Sequence, residues 1–397
     1  MSGGATSSRR RRRRERVDAI ARVIRTPPLS DVIRDNALVH LPPAAAARLR
    51  AVHPSWAAAM SSRLFAVAHA AAPRRASGVF VPSAGFLPFA AAGDDDDNVP
   101  SPSLAFVPAS SGVTVLSSSR GVACCFSAVD DAYAVCNPAT TSWSAVPSPP
   151  RRTRPRPAIV VLFDTNAYNF RGDYTLVCPF ESTPGSGAYC FQVFTSGAGV
   201  WWVTDAVATA EGLVAASGVA AGRTAWWRTS IGTAVGYSPV TDRVEIVLCP
   251  GDSEHWEIGS VAGTLHCAVR DGRDVAVFRL LDHHGVWEEA ARVAVAEILQ
   301  LSDAEEEEED DGVRLLGFQG AEVEVVVLSG RRLVAFDART RQRREVAVPG
   351  EVDARWDGEE YATHTNTLAS IAPAILVEEP PLAEQPAVDD QEMVLSS

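Results

Sequence analysis

Histidine, cysteine and clustered carboxylates are the side chains with which this chain would do chemistry, and their spacing builds no site. His283 and His284 are neighbours, and neighbours in an extended or turn segment point apart, so they do not share a metal. Glu254-His255 and His266 lie near predicted strands but lack a third ligand at the spacing that a zinc site requires. No Gly-x-Ser-x-Gly elbow presents a serine nucleophile. All 36 basic residues are arginine and none is lysine, which rules out a Walker-type phosphate loop around Gly185 and Gly187. The acidic run 305–311 lacks the alternating ligands and glycine of a calcium loop and reads as a solvated insertion. The expected catalytic residues, metal and cofactor are therefore none.

Aromatic and arginine side chains are the better lead. Trp201-Trp202 and Trp226-Trp227 are adjacent pairs, and strand neighbours face opposite ways, so one of each pair is expected outside the core of its own sheet. That outer Trp either packs between blades or, with Arg223 and Arg228 nearby, lines a recognition surface, since Trp and Arg are enriched in interface anchors. Trp202, Arg223, Trp227 and Arg228 are the candidate target-binding residues.

Composition sets the frame for these residues. A length of 397 residues suggests two or more domains, and 46% hydrophobic residues suffice for a sizeable core. No apolar run approaches the roughly 20 residues that span a bilayer, and no apolar stretch follows the basic N-terminus as in a secretory signal. Seven cysteines without a C-x-x-C spacing argue against a disulfide framework or structural zinc. Cys124, Cys136, Cys190 and Cys267 sit in apolar runs as small hydrophobes, which points to a reducing compartment, cytoplasm and/or nucleus. The net charge of -13 is segregated into an arginine block at 9–14 and acidic runs at 94–97 and 305–311. No extended nucleic-acid footprint is visible. The arginine block reads equally as a nuclear address or a solvated arm.

Two kinds of element must position the candidate residues. Over 29–65, Ser30 and Asp31 are placed to cap a helix that carries Ile33, Ala37, Leu38 and Leu41 on one stripe. Pro42-Pro43 ends it and starts a second helix with Leu49 and Val52, ending near Pro54. A third runs from about Ser55 through Trp56 and Met60. Helices this short are marginal alone, so their apolar stripe is expected to need a partner. Helical composition continues over 66–72 until Pro73.

Beyond Leu104 the period changes to short β-rich runs. An apolar strand, a six-residue turn and a Trp or other strand residue recur, with turns starting at Asn137, Thr195, Ser238, Leu281 and Asp337. The base interval is 43 residues, and the two longer intervals contain insertions at 147–157 and 302–312. That period suits a four-stranded propeller blade. Asn137-Pro138 and Ser238-Pro239 fit the opening of a type I turn. Gly121, Gly222 and Gly263 mark tight turns in further strand pairs upstream. Five to seven blades are expected, with 355–377 returning to complete or cap the ring.

The order of residues in the helical stretch resembles an F-box. The matching positions are Leu29, Val32 or Ile33, Leu38, Leu41, Pro42, Arg48, Leu49, Arg50, Val52, Ser55, Trp56, Leu64 and Phe65. Ser30 stands where Pro is usual, and His53 and Pro54 replace the usual Cys and basic residue. The turn at 137–143 and the F-Q-V-F-x-S at 191–196 are similar to the kelch-related propeller region of plant F-box proteins, without the kelch double glycine. The resemblance implies a multidomain α+β chain: a basic arm and leading helix at 1–26, a three-helix F-box at 27–72, a linker at 73–103, an all-β propeller at 104–377 and a loose acidic tail at 378–397. It also implies a non-enzymatic substrate adaptor. Leu29, Val32, Ile33, Leu38, Leu41, Pro42, Leu49, Val52 and Trp56 would dock on a Skp-type linker protein and so a cullin, while the propeller binds an unknown target. No membrane and no nucleic acid is an expected partner. The alternatives are a propeller enzyme with a helical cap and a scaffold that no longer binds the linker. The missing lysine follows from base-composition bias or, in a ligase adaptor, spares the chain from its own ligase.

Overall fold

The innermost strands of six small sheets meet around a common axis, and the sheets radiate from it as the blades of a propeller. The computed structural model describes residues 28–82, 85–91, 103–110, 112–151, 157–251, 253–281, 285–301, 312–349 and 360–374. The expected basic arm, the acidic runs at 94–97 and 305–311, His283-His284 and the tail at 378–397 lie outside the described residues.

Five blades are antiparallel meanders. Blade 2 is β4 (Thr114–Ser119), β5 (Val122–Ser127), β6 (Ala132–Asn137) and β7 (Ser142–Val146). Blade 3 is β8 (Val160–Phe163), β9 (Tyr174–Glu181), β10 (Ala188–Thr195) and β11 (Trp201–Thr209). Blade 4 is β12 (Val219–Ala221), β13 (Thr224–Arg228), β14 (Thr233–Ser238) and β15 (Arg243–Leu248). Blade 5 is β16 (Trp256–Val261), β17 (Thr264–Asp271), β18 (Asp274–Leu280) and β19 (Trp287–Ala294), with β21 (Phe318–Gly320) parallel to β16. Blade 6 is β20 (Val313–Leu316), β22 (Glu324–Ser329), β23 (Arg332–Asp337) and β24 (Arg343–Ala347), with β3 (Ala90–Ala91) on its edge.

Blade 1 is assembled from both ends of the chain. β1 (Gly78–Val81) pairs with β2 (Gly85–Pro88) on one side and β25 (Ala362–His364) on the other, which closes the ring and removes its open edge. The segment expected as a linker at 73–103 therefore contains three strands. Its apolar run Val79-Phe80-Val81 is short enough to pass for linker, and its pairing partner lies almost at the other end of the chain.

The five turns read from the sequence are the third-to-fourth strand turns of blades 2 to 6. In each, the fifth residue has a left-handed backbone: Thr141, Gly199, Asp242, Gly285 and Arg341. This shared conformation sends the outer strand back along the blade. Asn137 and Asp337 cap their turns with a side-chain oxygen that accepts from Ala139 N and from Arg339 and Thr340 N. The first-to-second turns, at Gly121, Gly222 and Gly263, leave the ring on that same side, because an antiparallel meander alternates.

The core lies between blades. Trp227 is buried among Phe191, Val235 and Tyr237 between blades 3 and 4, with Phe191 and Tyr237 stacked at 4.4 Å. Trp226 points the other way, into the contact of blades 4 and 5. Trp201 donates to the Pro147 carbonyl at 2.7 Å and Trp287 to the Leu248 carbonyl at 2.8 Å, each stitching its blade to the preceding one. Trp143, at the equivalent position of blade 2, is 43% exposed. Among the described residues, the preceding blade 1 has no fourth strand to receive it.

The helical region has four α-helices where three were expected: α1 (Leu29–Asn36), α2 (Pro43–Leu49), α3 (Pro54–Met60) and α4 (Arg63–Ala71). A further helix, α5 (Val295–Leu299), lies between blades 5 and 6. The first predicted helix breaks after Asn36, and Leu38–His40 form a separate 3₁₀ turn. Ser30 and Asp31 do not cap α1: it starts one residue earlier, and the Pro28 carbonyl accepts from Asp31 and Val32. Asp31 pairs instead with Arg34 at 3.0 Å. The His53-Pro54 pair is the start of α3, with His53 Nδ1 accepting from Ser55 N and Pro54 as the first helical residue.

Candidate protein-interaction site

The helical region closes a small core and leaves part of its apolar surface open. Leu38, Ala46, Met60 and Phe65 are buried, with Ile33, Val39, Leu41, Leu49 and Trp56 half-buried around them. Trp56 Nε1 donates to the Ser30 carbonyl at 2.9 Å and ties α3 to α1. Among the described residues, the propeller's share of this cluster is Leu368. Leu29 (73% exposed), Val32 (41%), Val52 (62%) and Leu64 (61%) face solvent, and Pro42 is exposed. Of the nine residues expected to meet a linker protein, Leu38 is thus inside and Leu29, Val32, Pro42 and Val52 are outside. The other four are shared between core and surface.

The junction with the propeller is polar and specific. His69 is buried; Leu368 N donates to its Nδ1 at 3.1 Å, so Nε2 carries the proton and donates to the Leu41 carbonyl at 3.0 Å. Burial, reinforced by the Arg74 charge, lowers the His69 pKa to about 3. Arg74 spends its donors on the carbonyls of Val39, Leu41 and His69. Arg75 reaches blade 6, where it pairs with the buried Asp337 at 2.6 Å.

The four expected target-binding residues do not form one surface. Trp227 is fully buried and donates to the Ala158 carbonyl at 3.0 Å, so it cannot touch a partner. Its alternation with Trp226 is as expected, but blades flank this strand on both sides and both rings are covered. Arg228 is committed to Glu257 at 2.9 Å. There burial pushes the Glu257 carboxyl up while the guanidinium opposes that shift. Trp202 is exposed on the outer strand of blade 3, away from the axis. Arg223 lies where the channel opens on the face of the first-to-second turns, and pairs with Asp164 at 3.3 Å.

That mouth is a cavity of about 350 Å³ bordered by Arg120, Phe163, Asp164, Arg223, Val240 and Gly263 among others. Arg120 and Asp164 were not singled out from the sequence. The available signal was an Arg-Gly pair between two apolar strands, where a tight turn ordinarily takes Asn-Gly. Behind the mouth the channel narrows to about 30 Å³, lined by Ser117, Ser118, Ile258, Gln319 and Thr363 among others. Ser118 Oγ lies 2.8 Å from His364 Nδ1, and burial lowers the His364 pKa to about 4. This pair binds the closing strand to blade 2 and is buried. Among the described residues, no group of three or more His, Cys, Asp or Glu is placed to hold a metal ion, and no helix is long and apolar enough to cross a membrane.

No family model matches the chain, and no curated protein matches it. Solved structures similar to parts of it include YCF48 bound to D1 peptide, at 13% identity and TM-score 0.35 over 60% of this chain and 68% of that one. Another is apo AztD from Citrobacter koseri, at 10% identity and TM-score 0.32 over 64% and 76%. A third is BBS1N in complex with ARL6DN, soaked with mercury, at 14% identity and TM-score 0.30 over 62% and 68%. Likenesses this distant carry no argument about the chain, and the six-bladed ring stands on its own strand pairing.

Proposed function

We propose that this chain is the substrate-recognition adaptor of a Skp/cullin/F-box ubiquitin ligase, acting in the cytoplasm and/or nucleus without catalytic residues of its own. The α1 side of the helical region docks on the Skp-type linker, and the propeller holds a target protein. The observation that carries the reading is the half-covered helical cluster: Leu38 and Phe65 close its core while Leu29 and Val32 on α1 remain in solvent. Leu29 and Val32 stand one helical turn apart, and adjoining exposed apolar side chains mark an interaction surface more often than scattered ones do. A ring of blades suits the second task, since its turns present many side chains on one rigid face. The mechanism is proximity, because joining two binding modules raises the effective concentration of the target near the ligase. The absence of lysine leaves the adaptor itself without side-chain amines to modify.

Co-purification with a Skp-type linker tests the proposal. Leu41 and Trp56 are unsuitable probes, because both help close the helical core. Leu29→Asp with Val32→Asp is expected to weaken linker capture at least tenfold while the urea midpoint stays unchanged. A wild-type chain that captures a target but no linker would be a scaffold and would end the ligase reading.

A further inference from the structure

Among the described residues, one guanidinium at the mouth of the channel is paired with no carboxylate. Arg120 leaves the β4–β5 turn with a left-handed backbone (φ 53°), followed by Gly121 (φ 89°). Its guanidinium crosses the opening: Nη2 lies 4.0 Å from where a Cβ on Gly263 would stand, and Gly222 N is equally far from that point. Among the described residues the guanidinium has no hydrogen bond or ion pair; the polar contact of Arg120 is its carbonyl, which accepts from Thr367 Oγ1 at 2.7 Å. Partial burial pulls its pKa down, as expected for a guanidinium deprived of water. Arg223 borders the same cavity, and Arg74 borders a small adjoining one that shares Ser119, Arg120 and Gly263 with it. Arg74 bonds to carbonyls, and Arg223 shares Asp164 across an exposed contact. The residues lining the mouth thus supply one carboxylate for two guanidiniums, and the adjoining cavity adds Arg74 and no carboxylate. Dehydration opposes holding the Arg120 guanidinium this way in the free chain.

We propose that the mouth binds an acidic side chain, Asp or Glu, of a partner peptide. Arg120 is the bidentate anchor, and the exposed Pro239-Val240 turn packs against an apolar neighbour in that peptide. The inference rests on reading this face as the target-binding face. A cavity of about 350 Å³ takes one or two side chains, and the net charge of -13 repels an extended polyanion, so a peptide fits and a nucleic acid does not.

The test uses the full chain and a library of nonapeptides with randomised flanks and Asp, Glu, Asn, Gln or phosphoserine at the centre. Asp and Glu peptides are expected to be retained roughly tenfold or more over their Asn and Gln counterparts, with the advantage shrinking as salt rises. Arg120→Gln and Arg120→Gly both erase that advantage. Arg120→Gly suits the left-handed turn and is expected to hold or raise the urea midpoint, so it separates loss of the guanidinium from loss of the fold. Neither variant changes linker capture, so a failure of the ligase reading is seen separately. Equal retention of Asp and Asn peptides, retention of none, or a preference that survives Arg120→Gly overturns the proposal. A tenfold preference for phosphoserine over Asp and Glu overturns the carboxylate assignment.

Discussion

Trp227 and Leu29 mark opposite ends of burial in this chain: the indole is fully covered and the leucine is 73% exposed. Both are large apolar side chains, one on a central strand and one at the start of a helix. The difference lies in what the chain itself supplies. In the ring, each blade has a neighbour on either side, so Trp226 and Trp227 can point opposite ways and both be covered. The helical region sits at one end of the chain and meets the propeller along one side, through Leu368, His69 and Arg74. Its other side has no blade to close it. Exposed apolar residues in the propeller teach the same lesson, since the side chains of Trp202, Val207, Ile246 and Leu248 lie on outer strands, where the neighbouring blades cover less than they do near the axis.

The contrast is broken most severely at Gly236. This residue pairs across the strands with Trp226, and a Cβ there would stand 2.7 Å from the indole ring. Gly236→Val forces the ring off its seat between blades 4 and 5. Overpacking of this kind costs about 1–3 kcal/mol, occasionally more, and the upper end is expected because the ring has nowhere to move. Leu29→Asp, on the uncovered side, should change stability by less than about 0.5 kcal/mol. Urea midpoints of the two variants, read by tryptophan fluorescence, settle the comparison. Equal effects would mean that Leu29 is covered in solution.

Acid probes the joints between the two regions. His69 at the helix–propeller junction and His364 in the closing strand are neutral when folded, with pKa values lowered to about 3 and about 4. Unfolded imidazoles bind a proton near pH 6.5. Between that value and the folded pKa, the unfolded chain holds protons that the folded chain does not, so stability rises with pH across the window and is lost as pH falls. From pH 7.5 to 5 the loss is roughly 2 kcal/mol for each histidine. His69→Gln and His364→Gln should each remove a substantial part of the slope in urea midpoint against pH, with the buried His266, whose pKa burial also lowers, carrying a further share. A midpoint flat between pH 7.5 and 5 would show that neither imidazole is held neutral.

The sequence carried the repeat more clearly than it carried the ring. Five outer hairpins were legible because their turn chemistry is local: Asn137-Pro138 and Asp337 cap their own backbone within three residues. Blade 1 was half legible: the return of 355–377 to complete the ring was expected and β25 makes it, but 79–81 was read as linker, because Phe80 finds its partner at Ala362 and no local pattern encodes so distant a pairing. The fate of the Trp pairs was half legible. Alternation gave their opposite directions, but whether the second face is wet depends on the neighbouring blade. Arg120 escaped notice because its significance is a missing partner, which only three-dimensional neighbours reveal. In the helical region, proline placement was readable from residue type alone. The break after Asn36 was not, as Ala37 and Leu38 continue the apolar spacing across it.

The smallest effect tests whether the repeated turn is conformation or contact. The fifth turn residue is left-handed in all five outer hairpins, yet it is Gly only at Gly199 and Gly285. Thr141 adopts φ 54° with a β-branched side chain, the least suitable kind for that region. Its hydroxyl donates to the Thr140 carbonyl at 2.7 Å, a local bond on an exposed turn that offsets little of the strain. Thr141→Gly relieves a penalty of about 1–2 kcal/mol and loses up to about 1 kcal/mol to the greater freedom of the unfolded chain. A net gain of up to about 1 kcal/mol is expected, read as a higher urea midpoint with an unchanged slope. Gly199→Thr places the same side chain in the same conformation in blade 3 and should shift the midpoint by a similar amount in the opposite direction. If both variants destabilise, the Thr141 side chain holds its turn by contact, and the five turns are alike in shape without being alike in cause.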